Sequence, residues 1–253
     1  MAAIPVLFSF ARSGGTLANQ LLGTHPQCLV LSEVNPVGSY KPVVEQAIEW
    51  LELATHEEAA KLSALPYRRQ MAELRERAAA RGRTLIVRDW VTANFLPGTA
   101  PRVVPSGTLE QSIYLERAGL QPIALVVTRR AAAVYQSIVT NFSHLAGLTV
   151  EAFGEAYLAY ARAVAHLPRM HMESLRAAPE AGVRKLLESF NLDSSPVPLV
   201  LRDFHEFRKC TGNNTLEGRG GSADARSVIP PETPPDITHR ALAEADALLG
   251  YDG

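Results

Sequence analysis

Arg12 stands in a run, Ala11-Arg12-Ser13-Gly14-Gly15-Thr16-Leu17, whose residue types suit an anion. Two adjacent glycines leave the backbone bare, so that successive N–H groups can point at one ligand. Arg12 adds a full charge, and Ser13 and Thr16 add hydroxyls. A helix starting on the run would add free N–H donors and a partial positive charge. This set would bind a phosphate or sulfate ester. The usual nucleotide-triphosphate loop has an earlier glycine and ends in Gly-Lys-Ser/Thr. Here both that glycine and the lysine are missing, and a tight strand-to-helix turn carrying an exposed arginine would use the same residues.

The elements that must position this run are readable on either side of it. Ile4 to Phe10 is short, apolar and bounded by turn residues, which predicts a buried strand. Leu17, Leu21 and Leu22 share a helical face until Gly23 and Pro26. Further strands are predicted at Cys28–Leu31, Thr84–Val87 and Gln121–Val127, with a weaker one at Arg169–Glu173. Helices are predicted after Pro42, over Tyr67–Arg81, from Thr108 to Arg117, and over Ala131–Val139, Val150–Ala165, Pro179–Phe190 and His239–Leu249. Thr55 with Glu58 reads as a capping box opening one more short helix. Strands alternating with helices predict an α/β fold, a mostly parallel sheet with helices on both faces. Ligands of such sheets bind beyond the carboxyl ends of the strands. Arg12, Glu33, Asp89 and Arg129 each follow a predicted strand end, so they converge on one rim if those strands are neighbours.

The chain of 253 residues, with 47% hydrophobic and 20% charged residues, has the composition of a globular domain. No internal repeat or linker divides it, so one domain over residues 1–253 is expected, with a loop or lid at about 210–235. The net charge of -1 argues against a broad grip on nucleic acid. Cys28 and Cys210 lack metal-type spacing and cannot make a disulfide framework, so plain thiols and no metal are expected. Without a signal peptide or an apolar run long enough to span a bilayer, a cytoplasmic location is expected.

Several separated motifs line up with one family. Ser9 to Leu17, then Thr24-His25-Pro26 and Ser32-Glu33, resembles the 5′-phosphosulfate loop of sulfotransferases that use 3′-phosphoadenosine 5′-phosphosulfate (PAPS). Val126 to Arg130, with Ser137 eight residues after Arg129, is similar to that family's 3′-phosphate site. Met172 to Leu175, followed by Ala178-Pro179-Glu180 and a helix ending at Phe190-Asn191-Leu192, is similar to a structural segment of the same family. Asn213 to Arg226 resembles its variable C-terminal loop. The chain departs from the pattern in three places. Arg130-Ala131 replaces the usual Asp-Pro pair. Arg12 stands where cytosolic members have lysine, as in Golgi-type and many bacterial members. Arg88-Asp89-Trp90 replaces the Lys-Thr-His that carries a histidine base. These departures resemble the bacterial, carbohydrate and tyrosyl-protein branches.

The resemblance implies a sulfotransferase fold, PAPS as donor, and a small-molecule, carbohydrate or peptide acceptor presenting a hydroxyl or amine. It implies that Arg12, Ser13, Gly14, Gly15, Thr16 and Leu17 hold the 5′ end of the donor and that Arg129 and Ser137 hold its 3′-phosphate. Arg219 and Arg226 could close over that phosphate, or lie in a solvated loop. Glu33 matches the base of the tyrosyl-protein branch; its structural alternatives are a helix cap or a salt bridge to Arg12. Asp89 is the reserve base, or else a buried ion pair with Arg88 or Arg129. Trp50, Tyr67, Trp90 and Phe95 would line an apolar pocket or fill the core. Two competing readings are a P-loop kinase-like ATP-dependent phosphotransferase and a non-catalytic nucleotide-binding protein on the same fold.

Overall fold

In a computed structural model of the chain, residues 2–100, 103–212 and 237–251 are described. Six strands form one sheet: β1 (Ala2–Ser9), β2 (Cys28–Asn35), β3 (Gly38–Ser39), β4 (Thr84–Asp89), β5 (Leu120–Thr128) and β6 (Arg169–His171). Their order is β3-β2-β4-β1-β5-β6. All neighbouring pairs are parallel except β2 with β3, a tight hairpin. The strands that lead to Arg12, Glu33, Asp89 and Arg129 are neighbours, so the carboxyl ends of β2, β4, β1 and β5 lie side by side.

Alternation along the strands builds two cores, one on each face. Ile4, Val6 and Phe8 of β1 face one layer with Leu85 and Val87 of β4 and Val126 of β5. Leu7, Ile86, Leu125 and Val127 face the other. The first layer is covered by α2 (Val43–Glu49), α3 (Ala59–Ser63), α4 (Tyr67–Ala80), α5 (Glu110–Glu116), α6 (Ala131–Asn141) and α7 (Val150–Val164). Its last helix is α11 (Arg240–Leu248), which packs on α7 and α6. The second layer holds α1 (Gly15–Thr24), α8 (Met172–Ala177), α9 (Pro179–Glu188) and α10 (Val197–Asp203).

Two elements differ from the sequence reading in ways that matter to the site. β2 does not stop at Leu31 but continues to Asn35 through an irregularity between Leu31 and Val34. Glu33 sits in that bulge with φ +50, a left-handed backbone uncommon for a side-chain-bearing residue. The weak strand at Arg169 ends at His171, and Met172 opens α8 instead. Half of the expected capping box is present, with Thr55 N–H donating to Glu58 Oε2 at 2.9 Å. No helix among the described residues is long and apolar enough to cross a membrane.

Candidate active site

The loop after β1 is fastened from below. Phe10, which precedes it, is 1% exposed and packs edge-on against Tyr157 at 5.0 Å between ring centres. Ala11 N–H donates to Thr92 Oγ1 at 2.6 Å, and Ser13 N–H to the Phe10 carbonyl at 3.1 Å. Arg12 has φ +67 and Gly14 φ +93. The two glycines are needed for different reasons. Gly14 takes a backbone angle that strains any side-chain-bearing residue. Gly15 lets α1 lie close to the sheet: a Cβ there would stand 2.1 Å from Ser9 Oγ and 2.9 Å from Ser9 Cβ.

Above the loop opens a cavity of about 810 Å³, walled by Arg12, Gly14, Gly15, Thr16 and Leu17 on the loop side. Glu33, Lys41, Arg88 and Arg176 also reach it, so that among the described residues four cations face one carboxylate. Its size lies in the usual range for a small-molecule site. That donor set fits a ligand with several negative charges, as PAPS has.

The β5 motif joins the loop directly. Arg129 Nη1 donates to the Arg12 carbonyl at 2.9 Å, and Arg12 Nε donates to Ser137 Oγ at 2.9 Å. Tyr157 Oη in turn donates to the Arg129 carbonyl at 2.9 Å. Burial, then the charge of Arg129, lowers the Arg12 pKa from its usual value, and Glu33 partly offsets this. Two guanidiniums held together in this way favour an anion beside them.

Not every expected residue reaches the cavity. Ser13 is fully buried, so its hydroxyl is not presented to a ligand. Arg129, 8% exposed, and Ser137 stand behind Arg12 rather than on the wall. Glu33 is on the wall, and its partner is not Arg12: Arg88 Nη2 donates to Glu33 Oε1 at 2.7 Å. Asp89 is 1% exposed and off the wall, and Arg88 pairs with Glu33 rather than with it. Asn35 Nδ2 donates to Asp89 Oδ1 at 2.7 Å, and burial pushes the Asp89 carboxyl up to about 8. Arg219 and Arg226 lie outside the described residues.

Arg88 is the site residue that sequence reasoning passed over. Besides Glu33, its guanidinium reaches Ser32 Oγ at 3.3 Å, Thr16 Oγ1 at 3.4 Å and the Thr211 carbonyl at 3.1 Å. One buried arginine thus ties the loop, the bulge of β2 and the segment at Thr211. Its position at a strand end was visible, but its partners depend on β4 lying between β2 and β1. Of the four aromatic residues considered, Trp50 and Trp90 line the cavity. Tyr67 instead donates to Gln111 Oε1 at 2.6 Å, and Phe95 is 5% exposed in the core. His144 is on the wall beside Phe142.

No family model and no curated protein matches the chain. Solved structures do. The sulfotransferase domain from the Synechococcus PCC 7002 olefin synthase aligns with a TM-score of 0.64 at 15% identity, covering 99% of this chain and 95% of that one. The sulfotransferase domain from the curacin biosynthetic pathway aligns with a TM-score of 0.61 at 16% identity, covering 100% of this chain and 99% of that one. Near-complete coverage at this identity is agreement in fold rather than in residues, and the chain has the sulfotransferase fold.

Proposed function

We propose that the protein is a sulfotransferase that moves the sulfuryl group of PAPS onto the hydroxyl or amine of an acceptor. The observation that carries the reading is the chain of bonds from Arg129 through the Arg12 carbonyl and from Arg12 Nε to Ser137. It joins the two motifs that resemble the two phosphate sites of the donor, although they are separated by more than a hundred residues.

Each residue then has a role. Arg12 and the N–H groups of Gly14 to Leu17 neutralise the 5′-phosphate side, where negative charge grows as the donor bond breaks. Arg129 and Ser137 receive the 3′-phosphate, which requires the Arg12–Ser137 bond to open so that the serine hydroxyl can turn to the ligand. Glu33 accepts the proton of the acceptor hydroxyl, and Arg88 holds its carboxylate in place. When bound, the donor supplies the sulfuryl group: a bond from the acceptor oxygen to sulfur forms as the bond from sulfur to the phosphate oxygen breaks, and that oxygen keeps the electron pair. Positioning and charge stabilisation supply the catalysis, as in phosphoryl transfer.

The kinase-like alternative wants a loop lysine and a strand-end acid over the phosphates. The loop has arginine in place of lysine, and Asp89 is turned away from the cavity. Calorimetric titration with 3′-phosphoadenosine 5′-phosphate (PAP) and with AMP separates the readings. Saturable binding of PAP with much weaker binding of AMP is expected. Equal affinity for the two nucleotides would mean that nothing reads the 3′-phosphate and would overturn the assignment.

A further inference from the structure

Both tryptophans of the chain, Trp50 and Trp90, stand on the cavity wall. They arrive from different elements. Trp50 follows α2, and Trp90 follows β4. Tyr40, 70% exposed, stands edge-on to Trp90 with ring centres 6.3 Å apart. Leu96, Ile138, Phe142 and Leu145 add further apolar wall.

Several polar groups among them are engaged with protein partners. Thr92 Oγ1 accepts from Ala11 N–H at 2.6 Å, and Gln20 Nε2 donates to the Phe207 carbonyl at 3.3 Å. Lys41 is held by Glu45 at 3.2 Å and Glu49 at 2.9 Å. Glu33 gives one carboxylate oxygen, Oε1, to Arg88. A sugar or a polar peptide would bring many hydroxyls or amides against this aromatic and aliphatic wall, and each group left unpaired on burial is costly. An apolar body asks only for contact area.

We propose that the acceptor is an apolar alcohol, a single hydroxyl on an aromatic or alkyl body, held against Trp50 and Trp90 with its hydroxyl toward Glu33. This rests on the sulfotransferase reading for the meaning of "acceptor", but the binding it describes can be measured alone. His144 supplies one of the few polar contacts that such a pocket uses to orient a ligand.

Because the protein has only these two tryptophans, its indole emission reports on this wall. The experiment titrates the full chain, saturated with PAP, with 2-phenylethanol, 1-octanol or methyl glucoside. A saturable change in emission with the two apolar alcohols and none with the glucoside is expected. Trp50→Phe and Trp90→Phe each leave one reporter, and each should still respond. Trp50→Ala should weaken the alcohols about tenfold through lost contact. Saturation by the glucoside alone, or by none of the three, would overturn the proposal. A parallel calorimetric titration with PAP separates the two claims. PAP binding without alcohol binding sinks the acceptor class and leaves the sulfotransferase reading. Alcohol binding without PAP binding supports the apolar site and sinks the sulfotransferase reading.

Discussion

Glu33 is held in an unusual backbone shape, at φ +50, at the edge of a cavity, with Arg88 fixing its carboxylate. Strain of this kind persists where the surroundings impose it, and it gathers at functional sites. Glu33→Gln keeps the shape and removes the proton acceptor. It should leave PAP affinity unchanged and lower turnover about 10²–10⁴-fold, the usual contribution of a general base. Undiminished turnover in single-turnover kinetics would remove Glu33 from the role and turn attention to His144 on the same wall. Arg129→Ala deletes the guanidinium that braces the loop at the Arg12 carbonyl. A charge-assisted contact to phosphate is worth about 1.5–3 kcal/mol, so PAP should bind about 10–100-fold more weakly by calorimetry. Asp89 allows a prediction independent of any ligand. Its carboxyl is raised to about 8 in the fold by burial, against about 3.9 in an unfolded chain. Between those values the folded state holds a proton that the unfolded state has lost. Stability therefore falls as pH rises from about 4 to about 8, and is unaffected by this group outside that window. Urea unfolding across that range should show the decline in the wild type and a flatter profile in Asp89→Asn. Identical pH profiles for the two proteins would mean that Asp89 is not buried as described.

At the scale of elements, the glycine loop works because α1 starts almost on top of β1. Gly15→Ala would put a Cβ 2.1 Å from Ser9 Oγ and 3.0 Å from Arg88 Nε. Overpacking of this kind costs about 1–3 kcal/mol, to be read from thermal or urea unfolding. The neighbouring Arg88 would also be displaced, so nucleotide binding should suffer beyond the loss of stability. Ser9→Gly combined with Gly15→Ala should recover part of the stability. No recovery would place the strain elsewhere.

The same elements show what a sequence can tell. The β1, loop and α1 unit was legible because periodicity and two adjacent glycines act locally. Helices such as α4 and α9 were legible for the same reason, within one or two residues of their ends. The bulge at Glu33 was not, because a bulge is settled by the partner strand: β2 loses register with β4 between Leu31 and Val34. Nor was the division of the aromatics. Trp50 and Trp90 reach the cavity, Phe95 turns to the interior and Tyr67 packs half-buried at the start of α4; all but Tyr67 lie near short elements whose rotation only packing decides. Arg129 was placed at the rim by its strand end and paired with Ser137 by motif, but their direct link to Arg12 is a fact of tertiary structure.

For the whole molecule, the decisive feature is the strand order around β1. The chain passes from β1 out to β2, returns to β4 beside β1, and then crosses to β5 on the other side. This reversal opens a crevice at the carboxyl ends, where open α/β sheets bind their ligands. The loop after β1 occupies it, flanked by Arg88 from β4 and Arg129 from β5. A doubly phosphorylated adenosine suits that arrangement, because cations approach the loop from both flanks. The most direct measurement is the melting temperature of the protein alone, with PAP, and with ATP and Mg²⁺. A ligand at a hundred times its dissociation constant stabilises the fold by about 2.7 kcal/mol, a shift of about 5–10 °C for a domain of this size. That rise is expected with PAP, and little change with ATP and Mg²⁺. A rise with ATP and Mg²⁺ but not with PAP, or no rise with either, would contradict the sulfotransferase reading.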